Sequence, residues 1–194
     1  MDGKGQIVAN GSFETPNLLS NAFQYDPSGA TWLFTANSGI INAPGGGFFG
    51  PAAPDGAQYA FLQSAGAPGA FSESIDFTLA GTYQLSYLVA GRSDNGQGAG
   101  GDLNYQILLD STVIATDTTN TAQPFTAQLF PFTTSAGSHT LSFEVAPGSS
   151  GDNTAFFDVV AVQPVPEPRS AVLFLSGLIT IAATRRISSQ RQYR

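Results

Sequence analysis

The sequence of 194 residues has no cysteine, few basic residues, and a single histidine, tryptophan and methionine. Without cysteine the chain forms no disulfide, performs no thiol chemistry and offers no sulfur ligand to zinc. A Ser-His-Asp triad would have to use His139, and no nucleophile elbow is present in the sequence. A zinc site would need further nitrogen or sulfur ligands. We therefore expect the chain not to be an enzyme, although acidic pairs for glycoside hydrolysis are set by the fold and stay open.

Positive charge is scarce in most of the chain. Only Lys4 and Arg92 precede Arg169, whereas all fourteen acidic residues do. Nucleic-acid binding demands a basic face, so no nucleic-acid partner is expected. An acidic surface favours cations, neutral glycans or simple solubility. The stretch from Gly96 to Gly101 fits a dinucleotide-binding glycine pattern, but a strand-like segment follows it, so we interpret it as a flexible loop.

No helical periodicity is present before Ser170, and apolar residues alternate along short segments separated by turn signals. This pattern predicts an all-β fold, a jelly-roll β-sandwich of eight to ten antiparallel strands, followed by a single C-terminal hydrophobic helix. Ala155–Val162 is apolar on both faces, which indicates a central strand. The sets expected to face inward are Phe71, Ile75, Phe77 and Leu79; Tyr83, Leu85, Tyr87 and Val89; Leu103, Tyr105, Ile107 and Leu109; Phe125, Ala127 and Leu129; and Leu141, Phe143 and Val145.

Several short motifs occur in order along these segments. They are Asn10-Gly11-Ser12-Phe13-Glu14, Trp32, Pro54-Asp55-Gly56-Ala57-Gln58-Tyr59, Gly81-Thr82-Tyr83 and Phe156-Phe157-Asp158-Val159. Their order resembles that of the galactose-binding-like jelly rolls, which include carbohydrate-binding modules. The resemblance implies glycan binding and a structural calcium, without catalysis by the module itself.

Two carboxylates are candidate calcium ligands. In a jelly roll the first and last strands commonly lie side by side, which would bring Glu14 close to Asp158. Asp158 stands between apolar neighbours, and a carboxylate in such surroundings needs a cation or strong hydrogen bonds. Ca²⁺ accepts carboxylate and backbone carbonyl oxygens. The alternative is that Asp158 accepts backbone N–H bonds or points to solvent, and that Glu14 is an exposed turn residue.

A glycan site requires an aromatic platform beside polar side chains in a preformed concave place. Candidate hydrogen-bonding residues lie in the loop after the Tyr83 strand, where Arg92 is nearly the only cation of the domain. The alternatives are core packing for the aromatic residues, an anchored loop at Phe48-Phe49 and a solvated loop around Arg92. The candidate platforms are Trp32, Phe48, Phe49 and Tyr59, and the candidate hydrogen-bonding residues are Arg92, Asp94 and Asn95.

The C-terminal segment combines a proline-rich spacer, an uncharged run and a basic cluster. Ser170–Thr184 would extend roughly 22 Å as a helix, somewhat less than the ~30 Å hydrocarbon core. Flanking arginine stems can snorkel and add length. Because positive charge stays cytoplasmic, residues 1–165 are expected on the far side of the membrane. A buried core helix is the alternative interpretation of the apolar run.

Pro166-Glu167-Pro168, the apolar run and Arg185-Arg186 resemble a PEP-CTERM sorting signal. The resemblance implies processing by an exosortase in a Gram-negative bacterium that makes extracellular polysaccharide. The expected organisation is a jelly-roll domain over residues 1–163, a linker with the sorting motif over 164–169, a transmembrane or sorting helix over 170–186 and a basic cytoplasmic tail over 187–194.

The predicted localisation is export, with transient anchoring in the inner membrane and final delivery to the cell surface or medium. Met1–Gln6 shows no basic and apolar pattern of a signal peptide. We expect that the start was trimmed or that the start codon was placed too far downstream, with a decayed gene as the alternative. The predicted function is polysaccharide binding by a non-catalytic module. A structural or adhesive matrix protein without a sugar site is the main alternative.

Overall fold

In the computed structural model, residues 8–42, 48–94 and 100–166 are described, and they form two antiparallel β-sheets packed face to face. The chain divides into two units, Met1–Pro164 and Val165–Arg194. The first unit contains eleven described strands. They are β1 Phe23–Tyr25, β2 Leu33–Thr35, β3 Ser38–Asn42, β4 Gln58–Gln63, β5 Ala70–Phe77, β6 Gly81–Gly91, β7 Leu103–Leu109, β8 Thr112–Thr119, β9 Thr126–Thr134, β10 Gly137–Val145 and β11 Thr154–Pro164.

The six-stranded sheet has the order β1-β3-β4-β11-β6-β9, and the five-stranded sheet has the order β2-β5-β10-β7-β8. Strand alternation places one face of each sheet against the other. The aromatic rings of Phe71 and Phe143 stack at 4.9 Å in the centre of this intersheet core. Phe157 packs edge-on against both rings. The jelly-roll β-sandwich predicted from the pattern is therefore confirmed.

The central strand β11 is buried on both faces, as predicted. Phe157 points into the intersheet core, whereas its neighbour Phe156 joins a second buried cluster on the outer face of the six-stranded sheet. This strand pairs with β4 on one side and with β6 on the other. A bulge interrupts it between Asp158 and Ala161, where Val159 takes a positive φ of 53°. There the amide of Val160 donates to the carbonyl of Gly11 at 2.9 Å.

Several sequence predictions differ from the structure. The described residues contain eleven strands instead of eight to ten. β1 has only three residues and β3 is buried at every position, so neither shows a period of two in its sequence. Leu79 follows the end of β5 and is exposed, so it does not share the buried face of that strand.

The inward face of β9 was predicted wrongly. Leu129 is 59% exposed and Ala127 is also exposed, whereas Phe132 is buried in the core and Phe130 packs against it. As an edge strand β9 carries apolar residues on both faces, so the alternation alone does not choose between them. The predicted C-terminal helix over residues 170–186 lies outside the described residues.

Candidate functional site

The outer face of the six-stranded sheet carries a set of aromatic rings beside one arginine. We call Phe23, Tyr25, Phe48, Phe61 and Arg92 the aromatic–arginine face. Phe23 and Tyr25 come from β1 and share its face because they are two residues apart. Phe61 comes from β4, Phe48 precedes that strand, and Arg92 directly follows β6. The sheet order therefore brings residues from four distant segments together.

The rings of this face form a continuous set of contacts. Phe48 lies 4.9 Å from both Phe23 and Phe61 between ring centroids, and Tyr25 lies 5.0 Å from Phe61. The guanidinium carbon of Arg92 lies 5.1 Å from the centroid of the Phe48 ring. This distance is within the range of a cation–π interaction. Two predicted candidates, Phe48 and Arg92, are thus in direct contact.

A chain of hydrogen bonds borders the rings. The Tyr25 hydroxyl donates to Gln63 Oε1 at 2.7 Å, and Gln63 Nε2 donates to Asp152 Oδ1 at 2.6 Å. Arg92 forms an ion pair with the same Asp152 oxygen at 3.2 Å. Among the described residues, Arg92 Nε is a buried donor without a hydrogen-bond partner. Burial raises the pKa of Tyr25, the nearby Asp152 carboxylate raises it further, and Arg92 opposes the rise.

The members of this face differ in their access to solvent. Phe23 is 45% exposed and Tyr25 is 38% exposed, whereas Phe48 and Arg92 are buried. The side chain of Asp152 is 41% exposed. Two partly exposed rings and a partly exposed carboxylate therefore lie on this face. Arg92 packs against the Phe48 ring and is itself shielded from solvent.

The other predicted platform residues lie elsewhere. Trp32 is 2% exposed in the intersheet core, where it contacts Phe71 and Phe143, so its ring is unavailable as a surface platform. Tyr59 is fully buried in the second cluster, and its hydroxyl donates to the Pro51 carbonyl at 3.0 Å. Both rings therefore serve packing, which is the alternative that the sequence left open.

The remaining candidates are Phe49, Asp94 and Asn95. Phe49 is 53% exposed and has a positive φ of 53°. Asp94 is exposed, and Asn95 lies outside the described residues. Sequence reasoning missed Phe23, Tyr25, Gln63 and Asp152. The alternation of Phe23, Gln24 and Tyr25 was the only local signal for β1, and three residues are too few to establish a strand.

Glu14 and Asp158 both accept hydrogen bonds from backbone amides at the turn that precedes β4. Glu14 Oε1 accepts hydrogen bonds from the amides of Ala57 and Gln58, each at 2.8 Å. Asp158 is fully buried, and it accepts from the Asp55 amide at 3.1 Å and from its neighbour Val159 at 2.7 Å. The turn that precedes β4 therefore links both carboxylates.

Gly56 is required within this turn. Its φ is +62°, which side chains rarely adopt, and a Cβ atom at this position would lie 2.3 Å from Glu14 Oε1. A glycine therefore allows the carboxylate to approach the backbone closely. A cleft of about 240 Å³ lies next to this turn and is lined by Val8, Asn10, Gly11, Ser12, Asp55 and Val159.

Negative charge accumulates at this turn, and no lysine or arginine in the described part of the chain forms an ion pair with it. Burial raises the pKa of Asp158 to about 7, and the Asp55 and Glu14 carboxylates add to the rise, while the two backbone N–H bonds oppose it. Among the described residues, no group of three or more His, Asp or Glu side chains could hold a metal ion. A cation here would need backbone or amide oxygens in addition to carboxylates.

A further buried carboxyl lies on β5. Glu73 is 7% exposed, and its Oε1 accepts from the Ala9 amide at 3.0 Å. Its Oε2 is buried without a hydrogen-bond partner in the part of the chain that the structure describes. Burial raises the pKa of Glu73 to about 7, although the Ala9 hydrogen bond opposes the rise.

Of the predicted sorting residues, Pro166 is exposed at the end of the described region. Glu167, Pro168, Arg185 and Arg186 lie outside the described residues. Within residues 8–42, 48–94 and 100–166, no helix has the length and apolar character needed to cross a membrane.

The fold is a β-sandwich of the class found in carbohydrate-binding modules. The module TmCBM61, solved in complex with β-1,4-galactotriose, has a TM-score of 0.51 and 12% identity, covering 83% of this chain and 99% of its own. The Arthrobacter globiformis T6 isomalto-dextranase, solved with panose, has a TM-score of 0.50 and 10% identity, covering 73% of this chain and 23% of the enzyme. A family 35 carbohydrate-binding module from Clostridium thermocellum has a TM-score of 0.47 and 13% identity, covering 69% of this chain and 92% of its own.

A family model described as HpiC1-like, HpiC1 cyclase, matches residues 6–159. The chain belongs to this HpiC1-like family. No curated protein matches the sequence at a significant level.

The buried carboxyls of Glu73 and Asp158 make the stability of the folded domain depend on pH. Their folded-state pKa values lie above the ordinary ones, so the folded state retains two protons that the unfolded chain releases as the pH rises above about 4. In chelator, the melting temperature of the full chain should therefore fall from pH 5 to pH 8. One pKa unit corresponds to about 1.4 kcal/mol, so each carboxyl contributes several degrees to this fall.

Glu73→Gln and Asp158→Asn should each reduce this fall, because neither replacement ionises. Asp76→Asn, at an exposed position of the same strand as Glu73, is the matched control. Thermal unfolding at the two pH values measures the effect. If the melting temperature falls equally in Glu73→Gln, Asp158→Asn and the control, the raised pKa values of Glu73 and Asp158 are contradicted.

Proposed function

We propose that this domain is a binding module for neutral polysaccharide and that the aromatic–arginine face receives the sugar. The observation that carries the proposal is the exposure of the Phe23 and Tyr25 rings beside the Asp152 carboxylate. A pyranose ring presents apolar C–H groups to an aromatic face and hydroxyl groups at its edge. The exposed rings suit the C–H groups, and the carboxylate accepts hydrogen bonds from the hydroxyl groups.

The charge of the domain supports a neutral ligand. Arg92 is the only lysine or arginine among the described residues, and it is already paired with Asp152 and packed on Phe48. A polyanionic sugar would therefore meet no accessible basic side chain on the described part of this face. Carbohydrate-binding modules share the fold, and two of the similar structures were solved with bound oligosaccharides. The proposed role of this face is binding without chemistry.

Native affinity electrophoresis through gels that contain galactan, mannan, xylan or dextran tests the sugar site. Wild-type protein should be retarded by at least one polysaccharide. Tyr25→Ala and Phe23→Ala should each weaken retardation by about tenfold, because each removes a ring from the centre of the contact. Tyr25→Phe keeps the ring and loses only the bond to Gln63, so it should retain most of the binding.

Leu129→Ala removes an exposed apolar side chain on β9, away from the aromatic–arginine face, and it is the control for general surface effects. Circular dichroism confirms that each variant is folded. If Tyr25→Ala and Leu129→Ala migrate alike in a gel that retards the wild type, the sugar site lies elsewhere. If none of the polysaccharides retards the wild type, the structural or adhesive role is favoured.

A structural calcium ion at the turn before β4 is part of the same proposal. Support for this proposal comes from the Glu14 and Asp158 carboxylates, which both bond to the turn that contains Asp55, and from the cleft beside it. The remaining oxygen ligands would have to come from backbone or amide groups. Burial is the main cause of the raised pKa of Asp158, and the neighbouring Asp55 and Glu14 carboxylates add to it. A bound cation would offset this repulsion and hold the N-terminal segment against the bulge of β11.

Calcium should raise the melting temperature at pH 8, where the Asp158 carboxyl is largely ionised. A ligand at 100 times its Kd stabilises the folded state by about 2.7 kcal/mol, which corresponds to several degrees. Magnesium, which prefers a tighter octahedral site, should have less effect. Asp158→Asn should abolish the calcium response, whereas Glu73→Gln should preserve it. An identical melting temperature in calcium and in chelator would refute the metal site.

Export and sorting form the second part of the proposal. The supporting feature is the sequence order of Pro166-Glu167-Pro168, the uncharged run Ser170–Thr184 and Arg185-Arg186. In this proposal an exosortase processes the C-terminal segment after the inner membrane has held it, and the sandwich reaches the cell surface or the medium. Delivery outside the cell would place the aromatic–arginine face in contact with extracellular polysaccharide.

Cell fractionation of an exosortase-containing host tests this delivery. The full chain carrying an added export leader should appear at the surface or in the medium. Replacing Pro166, Glu167 and Pro168 by alanine should leave it in the inner membrane, because the processing enzyme no longer recognises it. Tyr25→Ala is the matched control and should be delivered normally. Intact wild-type protein in the cytosol, despite the leader, would overturn the proposed route.

A further inference from the structure

Three polar side chains form a hydrogen-bonded row at one end of the sandwich. Ser135 Oγ lies 3.1 Å from His139 Nε2, and His139 Nδ1 lies 2.8 Å from Asp110 Oδ2. Ser135 lies in the turn that joins β9 of one sheet to β10 of the other, and His139 lies on β10. Asp110 lies in the turn between β7 and β8. Sequence motifs did not predict this row, because the chain has no nucleophile elbow and Asp110 is 29 residues from His139.

The carboxylate of Asp110 is held in a defined orientation. Asp110 Oδ1 accepts a hydrogen bond from the Thr140 amide at 2.9 Å. The backbone amide of Asp110 donates to the Thr140 carbonyl at 2.7 Å. The bonds from His139 and from the Thr140 amide lower the pKa of Asp110. An ionised carboxylate can only accept hydrogen bonds, so Nδ1 of His139 must carry the proton that joins them.

This tautomer determines what the other ring nitrogen does. In a neutral imidazole with a proton on Nδ1, Nε2 has a free lone pair and accepts a hydrogen bond from the Ser135 hydroxyl. The His139 ring packs edge-on against Phe77 at 5.6 Å, and its side chain is 15% exposed. Ser135 is exposed. A shielded base, oriented by a carboxylate, therefore contacts an accessible hydroxyl.

We propose that Ser135 is an activated nucleophile that accepts acyl groups from exposed carboxylic esters. The three roles match those of a catalytic triad, which is defined by geometry and not by chain order. His139 acts as the general base and Asp110 as the residue that orients it. Turn stabilisation alone would need only the contact between Asp110 and Thr140, and it gives no reason for the histidine to reach the serine.

The reaction proceeds in two balanced steps. The Ser135 oxygen forms a bond to the ester carbonyl carbon while His139 Nε2 takes the hydroxyl proton. The carbon–oxygen bond to the alcohol then breaks, and His139 returns the proton to the departing alcohol oxygen. Water adds to the acyl-serine by the same route, which releases the carboxylic acid and restores the Ser135 hydroxyl. Because the serine is exposed in a short turn, the substrate class is short-chain esters presented at a surface, such as acetyl esters.

This site is separate from the aromatic–arginine face. Strand β6 begins beside the Ser135 turn, since Gly81 pairs with Thr134, and it ends at Gly91, next to Arg92. Its eleven residues span roughly 33 Å. Failure of glycan binding would therefore not affect the reactivity of Ser135, and an unreactive Ser135 would not affect glycan binding.

Labelling with a fluorophosphonate probe tests the nucleophile directly. The full-length protein is treated with the probe, digested with chymotrypsin and analysed by tandem mass spectrometry to locate the modified residue. Ser135 should be labelled, because the probe reacts with activated serine hydroxyls. Ser138 is the matched internal control, since its hydroxyl lies 2.9 Å from Ser74 in the same region without contacting an imidazole.

The variants separate activation from accessibility. His139→Gln and Asp110→Asn should reduce the labelling rate of Ser135 by roughly 100-fold, as expected for loss of a positioned base or of its orienting partner. Ser135→Ala should abolish the label, whereas Ser138→Ala and the surface control Leu129→Ala should not change it. Incubation with p-nitrophenyl acetate should leave an acetyl group on Ser135. Equal labelling of Ser135 and Ser138, or labelling that persists in His139→Gln, would overturn the proposal.

Discussion

The double-sided burial of β11 is the constraint on which the other features depend. Phe157 fills the intersheet core while Phe156 fills the outer cluster, so this strand lies between two apolar layers. Within such a strand, a charged side chain is accommodated at a bulge, where the regular strand pairing is interrupted. The bulge after Asp158 provides this interruption and receives the N-terminal segment through the bond from Val160 to Gly11. The acidic turn is therefore a consequence of how the central strand is covered.

The sequence predicted the parts of the fold that are periodic. Tyr83 and Tyr87 alternate over a long strand, and the period of two shows which face they share. The periodic pattern did not predict β1. The placement of Phe23 and Tyr25 on that strand depends on its pairing with β3 and not on the local sequence. For the same reason the site was only partly predicted. Arg92 and Phe48 were found as unusual residues, but their contact arises from sheet order, which the sequence does not show.

The row formed by Ser135, His139 and Asp110 shows the same limit more sharply. Each residue lies in or beside an ordinary turn, where serine and aspartate are common for backbone reasons. Their convergence depends on β10 pairing with β7 in the five-stranded sheet, which brings Thr140 next to Asp110. Strand pairing over some thirty residues is a property of the whole sandwich. Local sequence motifs therefore cannot reveal such an arrangement, although the geometry makes it plain.

The scarcity of positive charge determines how the aromatic–arginine face can select a ligand. The guanidinium of Arg92 is shielded, and its contacts with Phe48 and Asp152 hold the loop residue and the carboxylate in place. An arginine engaged in this way organises the surface and does not attract anions to it. In the proposed function, selection would fall on the half-exposed rings of Phe23 and Tyr25 and on the Asp152 carboxylate. Such a surface would discriminate by the shape and hydroxyl arrangement of an uncharged sugar, because it would offer an acidic ligand only repulsion.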